Sequence, residues 1–93
     1  MGNREELNPG FNELFEQDED KARNLILHND EVNSFDHVID SLIEVCHHDS
    51  NQAEQCAFIT HYKGKCDVKK GEFDELHLMK DQLVSKGLSV TID

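Results

Sequence analysis

The sequence predicts an α+β domain of two layers, a small three-stranded antiparallel sheet with three helices packed on it, in the order β-α-α-β-α-β. Three observations carry this. The apolar run Leu25-Ile26-Leu27 is too short for a helix and suits a buried strand. Two later segments, starting at Ser34 and Asp49, open on capping residues, and the first continues in clear helical spacing. Near the end, Leu88, Val90 and Ile92 alternate with Ser89 and Thr91, the pattern of a half-buried strand. Three short strands cannot cover themselves, so the helices must pack on one face of the sheet.

Residues 1–22 read as a flexible acidic N-terminal extension, crowded with Glu5, Glu6, Glu13, Glu16, Asp18, Glu19 and Asp20. Phe11, Leu14 and Phe15 could form one short amphipathic turn there, as an arm that engages a partner when docked. The folded core is residues 23–93. Its first strand, Asn24 to His28, does not alternate, so it belongs in the middle of the sheet. Ser34 then caps a helix running to about Cys46, with Phe35, Val38, Ile39, Leu42, Ile43 and Cys46 in one apolar stripe. His47 and His48 read as its basic end, suited to the helix dipole. Asp49 and Gln52 have capping-box spacing for a second helix, which Gly64 ends after Lys63. The inner face of that helix is small: Ala53, Cys56, Ala57 and Thr60, with Phe58 and Ile59 beside it. A short strand from Cys66 to about Val68 follows, and Lys69-Lys70-Gly71 is expected to turn the chain. Phe73, Leu76, Met79 and Leu83 place a stripe on a third helix that stops at Gly87.

Composition removes several function classes. At 93 residues the chain has room for one domain, and a formal net charge of -11 repels nucleic acid and anionic membranes alike. No apolar run approaches the roughly 20 residues of a membrane span, and the acidic N-terminus lacks the order of a secretion signal. Cys46, Cys56 and Cys66 are an odd number without a CxxC pair, which reads as reduced thiols in the cytoplasm. No metal site is expected. Cys46-His47-His48 is dense, but adjacent helical residues point apart, and the spacing fits no pair-plus-pair zinc pattern. No enzyme is expected either: Cys56 and His61 share no helix face, no glycine-rich phosphate loop is present, and no cofactor is implied.

One turn carries chemistry. The first strand ends in Asn29 and Asp30, which present an amide oxygen and a carboxylate. His61, near the end of the second helix, joins them if that helix packs back against the start of the first. Three acceptors at one point suit the three N–H bonds of an ammonium group. Phe35, Val38, Ala57 and Thr60 would lie beside that point, with Leu88 from the last strand, as a small apolar pocket. The competing reading is that Asn29 and Asp30 only form a turn and His61 only ends a helix. Spacing alone leaves both open.

The stretches Leu27-His28-Asn29-Asp30-Glu31, Phe35-Asp36-His37-Val38-Ile39 and His61-Tyr62-Lys63-Gly64-Lys65 resemble the ClpS family of Clp protease adaptors, over about residues 24–93. The resemblance implies an adaptor that binds substrates beginning with Phe, Leu, Tyr or Trp and passes them to a hexameric AAA+ Clp unfoldase; nothing in the sequence demands an oligomer, so a monomer is expected. It implies that Asn29, Asp30 and His61 hold the α-amino group, and that Phe35, Val38, Ala57, Thr60 and Leu88 line the side-chain pocket. Glu72 matches a family position on the surface that docks to the unfoldase's N-terminal domain, and His77 stands where a lysine is common on that face. Phe35 and Ala57 stand where many relatives carry methionine, and Asn33 where Thr or Ser is usual. Two other readings remain: an interaction domain of the same fold without peptide N-terminus recognition, and a small metal-binding protein.

Overall fold

Strand β1 (Arg23–His28) runs through the middle of the sheet, with β2 (Lys65–Gly71) on one side and β3 (Ser89–Ile92) on the other, both antiparallel to it. This is a computed structural model, and it describes residues 22–93. The acidic extension expected over residues 1–22, with its turn at Phe11, Leu14 and Phe15, lies outside the described residues apart from Ala22. Between the strands come α1 (Phe35–Cys46), α2 (Ser50–Lys63) and α3 (Phe73–Ser85), giving the β-α-α-β-α-β order. Leu25 and Leu27 project from β1 into one core with Leu42 and Cys46 of α1 and Leu76 and Leu83 of α3, all close to fully buried.

The second strand is longer than its sequence suggests. Lys69, Lys70 and Gly71 do not turn the chain; they pair with Leu25, Asn24 and Arg23. Two lysines in a row hide the strand, since neither favours a sheet by propensity. The register explains how they fit: Leu25 faces Lys69 and Ile26 faces Asp67, so Val68 is an extra residue in a bulge. The bulge sends Val68 into the core, where it is 4% exposed.

The helix ends follow their caps. The Ser34 hydroxyl accepts the backbone N–H of His37 at 3.1 Å, and Asp49 accepts that of Gln52 at 2.7 Å. At the end of α1, His47 adopts the left-handed conformation, φ 62°. That turn corrects the reading of His47 and His48 as the basic end of the helix. His47 is exposed, but His48 is buried under β2 and its Nε2–H donates to the Val68 carbonyl at 2.6 Å. The cation at this helix end is Lys69, whose Nζ donates to the Cys46 carbonyl at 3.2 Å. Phe73 also departs from expectation: it opens α3 on the surface, half exposed, instead of joining the stripe below it.

Candidate functional site

The end of β1 and the end of α2 meet because of two backbone constraints. His28 pairs with Lys65 in the sheet, and the Asn29 N–H donates to the Gly64 carbonyl at 2.9 Å. Gly64 holds φ 95°, a conformation that disfavours any side chain, and reverses the chain from α2 into β2. His61 lies one helical turn before that reversal, so it comes to the side of Asn29. The same corner receives the start of α1 from below and Leu88 from the approach to β3. A cavity of about 160 Å³ lies between them.

Asn29, Asp30, His61, Phe35, Val38, Ala57, Thr60 and Leu88 all line this cavity, together with Leu27, His28 and Asn33. Its walls are apolar where they are deep. Ala57, Leu27 and Leu88 are buried, and Thr60 turns its hydroxyl back to the Cys56 carbonyl at 2.7 Å. Its rim is polar and wetter, with Asn29 and His61 exposed. An enclosed cavity of about 150 Å³ holds a benzene ring, so this one, open at its mouth, has room for one aromatic or branched aliphatic side chain and not for a nucleotide or prosthetic group.

Asp30 is the fixed charge at the rim. Its Oδ1 accepts the backbone N–H groups of Val32 at 2.9 Å and Asn33 at 3.0 Å, and the Asn33 amide bridges both carboxylate oxygens at 3.1 and 2.9 Å. Partial burial works to raise its pKa, but the Asn33 and Val32 N–H groups and the Asn33 side chain outweigh it, and the carboxyl ends below its ordinary value. Asp30 is therefore a carboxylate at neutral pH. Oδ2 carries only the one bond to Asn33 and keeps acceptor capacity toward the cavity.

Two residues that matter to this geometry were not assigned a role from the sequence. Besides clasping Asp30, Asn33 donates its Nδ2–H to the Gly87 carbonyl at 2.9 Å. His37 donates Nε2–H to the neighbouring Lys86 carbonyl at 2.7 Å. Together they tie the first turn of α1 to the loop before β3 and so position Leu88. The legible signal was the spacing of Asp30, Val32 and Asn33, which is that of an Asx turn. Nothing local marks His37, because its partner is 49 residues away.

Glu72 and His77 lie elsewhere, on the exposed start of α3. Glu72 is the residue before the helix, and His77 sits 5.6 Å from the Phe73 ring and 3.5 Å from Asp81. A separate hollow beside them is lined by Arg23, Glu72, Phe73 and Asp74 and shares no residue with the first cavity. The thiols are in neither. Burial pushes Cys46 up to about 11 against the pull of Lys69, and Cys66 up to about 12, so neither is a thiolate at neutral pH. Among the described residues no three His, Cys, Asp or Glu side chains gather as an ion site, and no helix is long and apolar enough to cross a membrane.

The family model described as ATP-dependent Clp protease adaptor protein ClpS matches residues 14–91, most of the chain. The chain belongs to the ClpS family. ClpS2 of Agrobacterium tumefaciens, solved bound to L-phenylalaninamide, shares its fold with a TM-score of 0.72. The two are 20% identical, and the match covers 78% of this chain and 95% of that one. No curated protein matches the chain. Membership of ClpS makes this a protein of an adaptor family, and the β-α-α-β-α-β arrangement is the family's fold.

Proposed function

We propose that this ClpS chain recognises proteins by a free N-terminus with a bulky apolar first residue and delivers them to a Clp-type AAA+ unfoldase for degradation. The observation that carries the reading is one cavity of about 160 Å³ with an apolar floor and with Asn29, Asp30 and His61 on its rim. The first side chain, Phe, Leu, Tyr or Trp, enters between Phe35, Val38, Ala57, Thr60 and Leu88. The α-ammonium group stays at the rim, where the Asn29 amide oxygen, the Asp30 carboxylate and a neutral His61 nitrogen accept its three N–H bonds. The ligand of the Agrobacterium protein supports this, since L-phenylalaninamide offers a free α-amine, a phenyl ring and a neutral amide in place of the first peptide unit. Glu72 and His77 then face the unfoldase's N-terminal domain, well separated from the substrate, so one adaptor can hold both at once. The reading makes it a monomeric, non-enzymatic protein of the cytoplasm, consistent with three free thiols.

The magnitudes suffice. Burying a Phe or Leu side chain contributes roughly 1.5–3 kcal/mol, and each hydrogen bond to a charged group about 1.5–3 kcal/mol, at the low end here because the rim is wet. After the cost of association this supports binding at roughly micromolar strength. The test is fluorescence anisotropy with two peptides identical except that one begins with Phe and the other with acetyl-Phe. Acetylation removes the charge and two N–H bonds, so only the free amine is expected to bind. Comparable affinity for both defeats the reading.

A further inference from the structure

The outer face of α2 carries more aromatic surface than the pocket uses. Phe58 is 55% exposed and Tyr62 68%, and neither lines the cavity. Their rings touch each other at 4.5 Å between centroids. Each also touches a ring that does line the cavity: Phe58 stacks on Phe35 at 6.4 Å with planes 22° apart, and Tyr62 meets the edge of His61 at 5.1 Å. Phe35 and His61 are themselves 5.4 Å apart. The four rings form a continuous shelf that begins at the pocket mouth and extends outward along α2. Large apolar side chains left in water at one place mark a surface that takes a partner. Because the shelf is continuous with the pocket, a chain that leaves the pocket on the side of Phe35 and His61 runs onto it.

We propose that Phe58 and Tyr62 form a second subsite, which takes a bulky apolar side chain from the third residue of the bound peptide. This rests on the N-terminus reading and extends it to sequence choice beyond the first residue. An extended chain alternates its side chains, so the third returns to the side of the first, displaced by about 6.5–7 Å. The step from Phe35 at the mouth to Phe58 on the shelf is 6.4 Å. The second side chain points away from this surface. A substrate is then selected twice, by shape at residue one and by apolar contact at residue three.

The experiment measures anisotropy for free-amine peptides beginning Phe-Ala-Ala, Phe-Ala-Phe and Phe-Phe-Ala, on the full chain and on the double variant Phe58→Ala/Tyr62→Ala. Both residues are exposed and away from the core, so the variant keeps the fold; a thermal melt confirms it. On the native chain Phe-Ala-Phe is expected to bind about three- to tenfold tighter than Phe-Ala-Ala, the scale of one aromatic contact. In the variant that gain disappears, read as the ratio of Phe-Ala-Phe to Phe-Ala-Ala affinity, so that a change common to both peptides from the lost contacts to Phe35 and His61 does not enter. Equal affinities on the native chain, a gain that survives in the variant, or a gain at residue two in place of residue three would each overturn the subsite while leaving first-residue recognition intact. Sedimentation showing a dimer that only the native chain forms, with equal peptide affinities, would assign the shelf to a second copy. Failure of every free-amine peptide to bind overturns the N-terminus reading, and the subsite with it.

Discussion

Helices α1 and α2 are neighbours, yet they orient their large side chains in opposite directions. α1 turns Leu42, Val45 and Cys46 fully inward, with Val38, Ile39 and Ile43 half-buried around them. α2 buries only Ala53, Cys56, Ala57 and Thr60, while Phe58, Ile59 and Tyr62 face out. A helix with small inward side chains can approach its neighbours closely, and it leaves unfilled volume wherever the neighbour does not fill it. Near the end of α2, at Ala57 and Thr60, the facing residues are Phe35 and Val38 at the very start of α1, and the gap is the cavity. Stability is thus concentrated on α1, and the space for a ligand is made by α2.

The largest expected effect tests the first half of that division. Leu42→Ala removes a fully buried side chain from the middle of α1 and is expected to cost about 2–5 kcal/mol in a urea melt. A loss under about 1 kcal/mol would mean that α1 does not dominate the packing. The second half is tested by filling the gap. Ala57→Leu puts three more carbons into the cavity, which has room for them, so stability is expected to move by no more than about 1 kcal/mol. Peptide binding should respond far more. A Phe side chain kept out of the cavity forfeits roughly 1.5–3 kcal/mol of burial, so affinity for Phe-initiated peptides is expected to fall about tenfold or more. Unchanged affinity would place the ligand elsewhere.

The contrast also decides what could be read in the sequence. The α1 stripe was legible because large apolar residues recur at helical spacing, and β1 because three of them stand together. The cap residues Ser34 and Asp49 and the terminator Gly64 spoke for themselves, since each is needed for a local backbone reason. The inward face of α2 was legible as small, but not that Phe58 and Tyr62 would be left in water as one aromatic surface, because periodicity gives a helix face without saying how far its partners extend. The end of β2 is hidden because Lys69 and Lys70 look like a turn; only the register with β1 and the bulge at Val68 make them strand. The burial of His48 is hidden for a related reason. A left-handed residue at His47 redirects the chain by one position, and nothing in the pair His47-His48 says which ring turns in. The eight pocket residues line one cavity because His28 pairs with Lys65, a long-range fact absent from the spacing; the family resemblance implies the grouping and not the pairing that produces it.

Smaller effects compare the two helix starts. Ser34→Ala and Asp49→Ala each remove one cap bond and are expected to cost about 1 kcal/mol of stability. Their consequences for binding should differ. Ser34 sits between Asn33 and Phe35 at the cavity, whereas Asp49 caps the far end of α2. Only Ser34→Ala is expected to weaken binding of a Phe-initiated peptide, by loosening the loop that holds Asp30. Equal binding losses in both variants would show that the two starts act through global stability alone.

The smallest effect is local to that loop. Asp30 is held below its ordinary value of 3.8 because its folded carboxylate accepts N–H groups that it lacks when the chain is unfolded. The sign follows from linkage. The stabilisation is fully present above 3.8 and is lost as pH falls through the lowered folded value, so acid loosens the loop and neutral pH does not. Asp30 is close to solvent, so the change in global stability is expected to be slight. The readout is an NMR titration of its carboxyl carbon, with a midpoint below 3.8. Asn33→Ala removes the amide that bridges both oxygens and is expected to move the midpoint up toward 3.8, while also freeing the Gly87 carbonyl and with it Leu88. If the midpoint already lies at 3.8 in the native chain, the carboxylate is not gripped by its own loop. The rim would then be assembled by the ligand, and the start of α1 would be as unformed as the end of α2 is open.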